Sequence, residues 1–189
     1  SLDMGLRRVD DRDWADAWKQ YFKPFTVGEK FIIKPSWEDC SDPAGRHVLE
    51  IDPGGAFGSG AHETTQLCIT LLEETVRPGD RVLDMGCGSG ILSVAALLCG
   101  AGEVTAVDVE EAAVATAAEN IRRNGFKNFT VIQGDALAQA DLARALRARP
   151  FRVIAANIVA DVLIAMAPLF AGACAPGAAL IASGIIGQR

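Results

Sequence analysis

Two hydrophobic rhythms alternate along the chain. Short runs that are apolar nearly throughout recur as "RVLDM" (81–85), "EVTAVDV" (103–109), "FTVIQGD" (129–135), "FRVIAAN" (151–157) and "AALIASG" (178–184). Such runs, bounded by turn signals, predict strands buried on both faces. Between them lie stretches with apolar residues three and four apart, which predict helices over about 64–76, 89–99, 141–149 and 160–174. A further helix carries Val114, Ala117, Ala118 and Ile121 on one face and closes at Asn124-Gly125. Strands that alternate with helices predict an α/β, Rossmann-like fold: a doubly wound, mainly parallel sheet covered on both faces.

Upstream of this series the pattern changes. Trp14, Trp18, Tyr21 and Phe22 form an aromatic stripe over Asp13 to Phe22 at helical spacing, stopped by Pro24. "KFIIKPSW" and "RHVLEID" then read as two short strands around the polar "EDCSDPAG", a hairpin-like lead-in. Residues 1–50 are expected to be a linker helix and leading strands, and 51–189 the main domain.

One stretch raises a membrane question, since Val162 to Ala182 carries no charge over a bilayer-length span. Pro168 and the Pro176-Gly177 pair divide it into pieces of helix and strand size, so a buried helix followed by a buried strand is expected.

Composition narrows the class. At 189 residues, 50% hydrophobic and 22% charged, the chain has the profile of one packed domain and not of a disordered segment. A net charge of −6 excludes the basic footprint that nucleic-acid backbones select and suits a lysine-rich partner. Five cysteines (40, 68, 87, 99, 174), odd in number and without a CxxC pair, indicate neither a disulfide framework nor a zinc site, so reduced thiols in a cytoplasmic protein are expected and no metal. "SLDMGLRRVDDRD" lacks the apolar core of a signal peptide. A start at Ser1 and a stop just after the last expected strand read as a piece of a longer chain.

The candidate chemistry centres on "VLDMGCGSGIL" (82–92). Three alternate glycines would weaken a strand or helix by about 0.5–1 kcal/mol each, so their place needs a geometric reason. In open parallel sheets ligands sit at the carboxyl ends of the strands, where strand order reverses, and the first strand-to-helix turn lies there. Gly86, Gly88 and Gly90 allow a sharp turn, close approach to a ligand, and helix-starting N–H groups aimed at it.

The spacing is GxGxG, whereas the dinucleotide fingerprint has a third glycine or alanine where Ile91 stands. Asp84, two residues before the first glycine, would repel a pyrophosphate but not a cation. A nicotinamide-dependent oxidoreductase fits poorly on both counts. Asp108 ends the second strand 22 residues after Gly86, at the position from which a carboxylate accepts hydrogen bonds from ribose hydroxyls. Asp135 ends the third strand within reach of an adenine amino group. As capping residues, Asp108 and Asp135 would need no ligand.

Together "VLDMGCGSG", "VDV" and "GDA" resemble the class I S-adenosylmethionine-dependent methyltransferases, with Asp135 and Ala136 at the adenine edge. The cofactor implied, S-adenosylmethionine, carries a sulfonium, an ammonium and a carboxylate, which suits acids around a loop of free N–H groups. "DPGGAFGSGAHETT" (52–65) with "ANIVA" (156–160) is similar to the ribosomal protein L11 methyltransferases, which modify amino groups of that ribosomal protein.

That resemblance implies cofactor contacts at Thr65, Gly86, Asp108 and Asn157, with Phe57 and Gly58 in a covering loop and Thr64 beside Thr65. It also implies that two further strands and a substrate-recruiting N-terminal domain lie outside this chain, leaving a catalytic fragment. Ser59 replaces the family's usual Thr, and Arg152 stands where an acid is common.

Asn157 is the expected catalytic residue: at the end of the fourth strand its amide oxygen can accept a hydrogen bond from a substrate amine and point the nitrogen lone pair at the methyl. His62 is open to two readings, a general base or a helix cap. A methyltransferase of another protein target and a non-catalytic cofactor-binding module are the remaining alternatives.

Overall fold

The computed structural model describes residues 22–40, 45–52 and 58–184. Five strands, β4 (Arg81–Met85), β5 (Glu103–Asp108), β6 (Phe129–Gln133), β7 (Phe151–Asn157) and β8 (Cys174–Ser183), form one sheet in the order β6-β5-β4-β7-β8. Every neighbouring pair in it is parallel. The expected α/β, doubly wound sheet is therefore present.

Helices α1 (Glu63–Thr75), α2 (Ile91–Leu98), α3 (Glu111–Arg123), α4 (Ala140–Ala148) and α5 (Ala160–Ala173) supply the covers. Side chains of each strand alternate between the two faces. Val82, Val104, Val153 and Ala155 join α1, α2 and α3 in one core, while Leu83, Met85, Val107, Ile154 and Ala156 join α4 and α5 in the other. Each fully buried Leu or Ile stabilises the layers by about 1.5–3 kcal/mol. Strand order reverses at β4, with β5 on one side and β7 on the other, which opens a crevice at the carboxyl ends of β4 and β7.

The lead-in differs from the expected hairpin. β2 (Phe31–Pro35) and β3 (His47–Ile51) pair in parallel. The hairpin instead joins β1 (Phe25–Val27) to β2 through a turn at Gly28. A three-residue strand has too few positions to show periodicity, so β1 escapes a pattern reading. With β1 on one edge of β2, the chain crosses back before β3: the His47 N–H donates to the Lys30 carbonyl, at the start of β2, at 2.7 Å. The aromatic helix expected over 13–22 lies outside the described residues except for Phe22, which is buried against the same core as β2 and β3.

Two further adjustments are small. α3 buries Ala113, Ala117, Asn120 and Ile121, so its inner face is rotated away from Val114 and Ala118. β8 begins directly after α5, and its regular pairing with β7 starts only at Val153↔Ala179. Arg152 donates to the Pro176 carbonyl at 2.7 Å and ties down that irregular start, a surface role that accounts for a base at this position. Among the described residues no helix is long and apolar enough to cross a membrane.

Candidate functional site

A cavity of about 700 Å³ opens at the strand-order reversal. Its walls include Gly58, His62, Thr64, Thr65, Gly86, Gly88, Asp108, Asp135 and Asn157, so eight of the sequence-predicted site residues converge there together with His62. Asp84, Gly90 and Ala136 do not line it, and Phe57 lies outside the described residues.

The glycine turn is built by backbone geometry. The Gly86 and Cys87 N–H groups both donate to the Val107 carbonyl, at 2.8 and 3.1 Å, which folds the end of β4 across β5. Gly86 has φ +74°, where a side chain is strained, and a Cβ there would collide with the Ile158 side chain. Gly90, at φ +80°, precedes α2; a Cβ on it would lie 2.9 Å from the Ala117 Cα, so the third glycine lets α3 pack against the loop.

Asp108 is clasped by the backbone. Its Oδ2 accepts the Gly88 N–H at 2.9 Å and its Oδ1 accepts the Glu110 N–H at 3.0 Å. It does not cap α3 directly: Glu110 occupies the cap position, and its side chain makes no capping bond. The clasp fixes a carboxylate on the cavity wall with lone pairs to spare, the arrangement a pair of vicinal hydroxyls requires. Asp135 Oδ1 accepts the Leu137 N–H at 2.8 Å in a turn, while the residue keeps its place in the cavity wall.

Asp84 lies behind the loop. It sits on the α2 side of β4, 1% exposed, where Ser93 Oγ donates to its Oδ2 at 2.7 Å and Oδ1 has no partner. Burial pushes its carboxyl up to about 6, opposed by the Ser93 hydrogen bonds and reinforced slightly by the Asp108 charge. Burial, with the Asp84 and Asp108 charges, likewise drives the Cys87 thiol far up, so Cys87 acts as a small apolar residue and not as a nucleophile.

Opposite the glycines stands Asn157, at the end of β7. Its Nδ2 donates to Thr65 Oγ1 at 3.2 Å, which spends a donor on the protein and leaves the amide oxygen for a ligand. Thr65 is buried in the first turn of α1. His62 caps that helix: its Nδ1 accepts the Thr64 N–H at 3.3 Å and lies 2.7 Å from Thr64 Oγ1. The capping reading of His62 thus has a concrete geometry.

Sequence reasoning missed the apolar half of the cavity. Met85, Val109, Leu137, Ile158, Val162 and Met166 line it, from the core under α4 and α5 and from the loops after β5 and β6. The signal was position: each lies at or just beyond a strand's carboxyl end or on the first turns of the helix that follows. Among the described residues no three His, Cys, Asp or Glu side chains are grouped to hold a metal ion.

A family model described as ribosomal protein L11 methyltransferase (PrmA) matches residues 1–189. The chain is 50% identical over 187 residues to the ribosomal protein L11 methyltransferase of Pelotomaculum thermopropionicum, covering 98% of this chain and 58% of that protein. It is 45% identical over 189 residues to that of Caldanaerobacter subterraneus subsp. tengcongensis, covering 100% and 59%. The chain therefore spans somewhat under three fifths of these relatives' length. Among solved structures, ribosomal protein L11 methylase from Lactobacillus delbrueckii subsp. bulgaricus matches with a TM-score of 0.75 and 32% identity, over 86% of this chain and 80% of that one.

Proposed function

This chain belongs to the ribosomal protein L11 methyltransferase family, and we propose that it binds S-adenosylmethionine in the cavity at the ends of β4 and β7. In the whole protein that site serves methyl transfer to amino groups, lysine side chains or an α-amine, of ribosomal protein L11. The observation that carries the reading is the pairing of a backbone-clasped carboxylate, Asp108, with an amide, Asn157, held by a hydrogen bond from its Nδ2 to Thr65.

The donor set fits the cofactor. Asp108 suits the ribose hydroxyls, Asp135 with the Ala136 backbone the adenine edge, and the N–H groups of the glycine loop the carboxylate. The apolar wall suits the flat base and excludes water. When bound, S-adenosylmethionine supplies an electrophilic methyl on a positively charged sulfur.

The chain's own groups then act by placement. Asn157 Oδ1 accepts an N–H of the incoming amine and directs its lone pair, a contribution of orientation rather than of proton removal. A lysine has an unperturbed pKa near 10.4 and must arrive neutral; an apolar, desolvated site favours that form. His62 holds the end of α1 and no step is assigned to it.

On this reading residues 51–189 make up the cofactor-binding region and residues 1–50 lead into it. The protein works in the cytoplasm, where its thiols stay reduced. The net charge of −6 complements an amine-bearing, basic substrate and disfavours direct nucleic-acid contact.

Calorimetric titration of this chain with S-adenosylmethionine and with NAD tests the first half: binding of the former and not the latter is expected, and the reverse would end the reading. Incubating the full-length parent protein with ribosomal protein L11 and weighing the product by mass spectrometry tests the second, with added mass in steps of one methyl group expected.

A further inference from the structure

Helix α3 carries a buried asparagine where its amphipathic pattern calls for an apolar residue. Asn120 is 1% exposed. A buried amide without partners costs several kcal/mol, so such a residue persists only when its polar atoms are satisfied. Those of Asn120 are. Its Oδ1 accepts the Asp52 N–H at 3.0 Å, and its Nδ2 donates to the Asp52 carbonyl at 2.9 Å and to the Ser89 carbonyl at 2.8 Å.

The reciprocal pair with Asp52 copies the exchange made between strands, so the side chain extends the free edge of β3 as a neighbouring strand would. One helical turn on, Asn124 repeats the device on Glu50: it accepts the Glu50 N–H at 2.9 Å and donates to the Glu50 carbonyl at 2.7 Å. The two asparagines share a face of α3 at i, i+4. They differ in one respect. Asn120 alone reaches the glycine loop.

Ser89, fully buried in that loop, holds the other end of the same connection. Its Oγ donates to the Gly58 carbonyl at 2.5 Å, and Gly58 lines the cavity. Asp52 and Gly58 are thus both referred to Ser89, the first through Asn120 and the second directly. The close approach of α3 at Gly90 is what brings Asn120 within reach.

We propose that Asn120 is a positioning residue for the cofactor cavity, acting through Ser89 to set Asp52 and Gly58 against the glycine loop. Asn124 only fastens β3 to α3. The functional part of this inference rests on the cofactor reading above, whereas the positional part does not.

The variants Asn120→Ala, Ser89→Ala and Asn124→Ala separate the two roles. Thermal unfolding, amide hydrogen exchange across Gly58–Gly60 in the free chain, and calorimetric affinity for S-adenosylmethionine are measured for each. Asn120→Ala, which loses three hydrogen bonds, and Ser89→Ala, which loses one, are each expected to weaken binding about tenfold and to speed that exchange. Asn124→Ala is expected to lower the melting temperature while leaving both readouts unchanged.

Should Asn120→Ala fail to fold, Asn120→Ser, which also loses the donor to the Ser89 carbonyl, carries the comparison, while Ser89→Ala, which keeps that carbonyl, reports on the hold of its hydroxyl on Gly58. Equal affinity and equal exchange in all three variants would overturn the proposal, as would an equal loss in Asn124→Ala. If the unaltered chain takes up no S-adenosylmethionine, the cofactor reading fails, and the exchange comparison in the free chain still decides the placement role.

Discussion

Replacing Asp84 by Asn should make the protein more stable at neutral pH, by an amount that grows as pH rises. Burial raises the carboxyl to about 6 in the fold, against an ordinary value of 3.8. A raised value means that the folded state binds the proton more tightly than the unfolded chain. Between about pH 4 and 6 the fold therefore holds more protons than the unfolded state, and stability falls as pH rises through that window. About two pH units at 1.36 kcal/mol each give a total near 3 kcal/mol, and the part that falls between pH 4.5 and 7.5 is about 2 kcal/mol.

Asparagine keeps the shape, accepts the Ser93 hydroxyl, and does not ionise. Urea unfolding of both proteins at pH 4.5, 5.5, 6.5 and 7.5 isolates the effect, because every other titrating group cancels in the difference. The advantage of Asp84→Asn should widen by about 2 kcal/mol across the series. A difference that stays flat with pH, or narrows, would refute the argument that burial governs this carboxyl. The same variant should bind S-adenosylmethionine more weakly above pH 6, since it lacks the negative charge behind the loop.

Asp108→Ala removes the acceptor of the Gly88 and Glu110 N–H groups, and should weaken S-adenosylmethionine about 10- to 100-fold by calorimetry. Gly86→Ala places a side chain at φ +74° against Ile158, and a loss of about 2–4 kcal/mol in urea unfolding is expected. Burial raises the thiols of Cys68 and Cys87, and that of Cys99 to about 11. A thiol reagent at pH 8 should modify the half-buried Cys40 first and the buried Cys87 only on unfolding; native-state labelling of both at one rate would contradict the burial.

What could be read from the chain follows from how each signal arises. The inner strands of the large sheet, β4, β5 and β7, are buried on both faces, so their sequences are apolar without alternation and stand out; β4 and β7 fall on the residues expected. Gly86, Asp108 and Asn157 sit at the ends of those strands, and finding the strand finds the residue. β1 and the parallel pairing of β2 with β3 were hidden for the opposite reason. Short strands at a sheet edge owe their partners to the path of the chain between them, and composition carries no record of that path.

Asn120 shows the harder limit. An asparagine on a helix reads as a surface residue, and only the approach of β3 and the glycine loop to α3 converts it into a buried clamp. Asp84 is the reverse case, an acid visible from its place in the glycine motif but assigned to the cavity wall, when the alternation along β4 turns it toward Ser93 and α2.

On the proposed cofactor reading, that displacement lets one loop serve a ligand of mixed charge. The cavity wall itself presents amide N–H groups, Asp108, Asp135 and a neutral carboxamide, while a further carboxylate, Asp84, stands one layer back, outside the wall and with one oxygen unpartnered. Placed in the wall, Asp84 would repel the ligand's own carboxylate at short range. One layer behind, its charge still favours a sulfonium, because interactions of this kind fall slowly with distance in a poorly screened interior. The stability lost to an unsatisfied buried oxygen is then the cost of holding a negative potential where no solvent can cancel it.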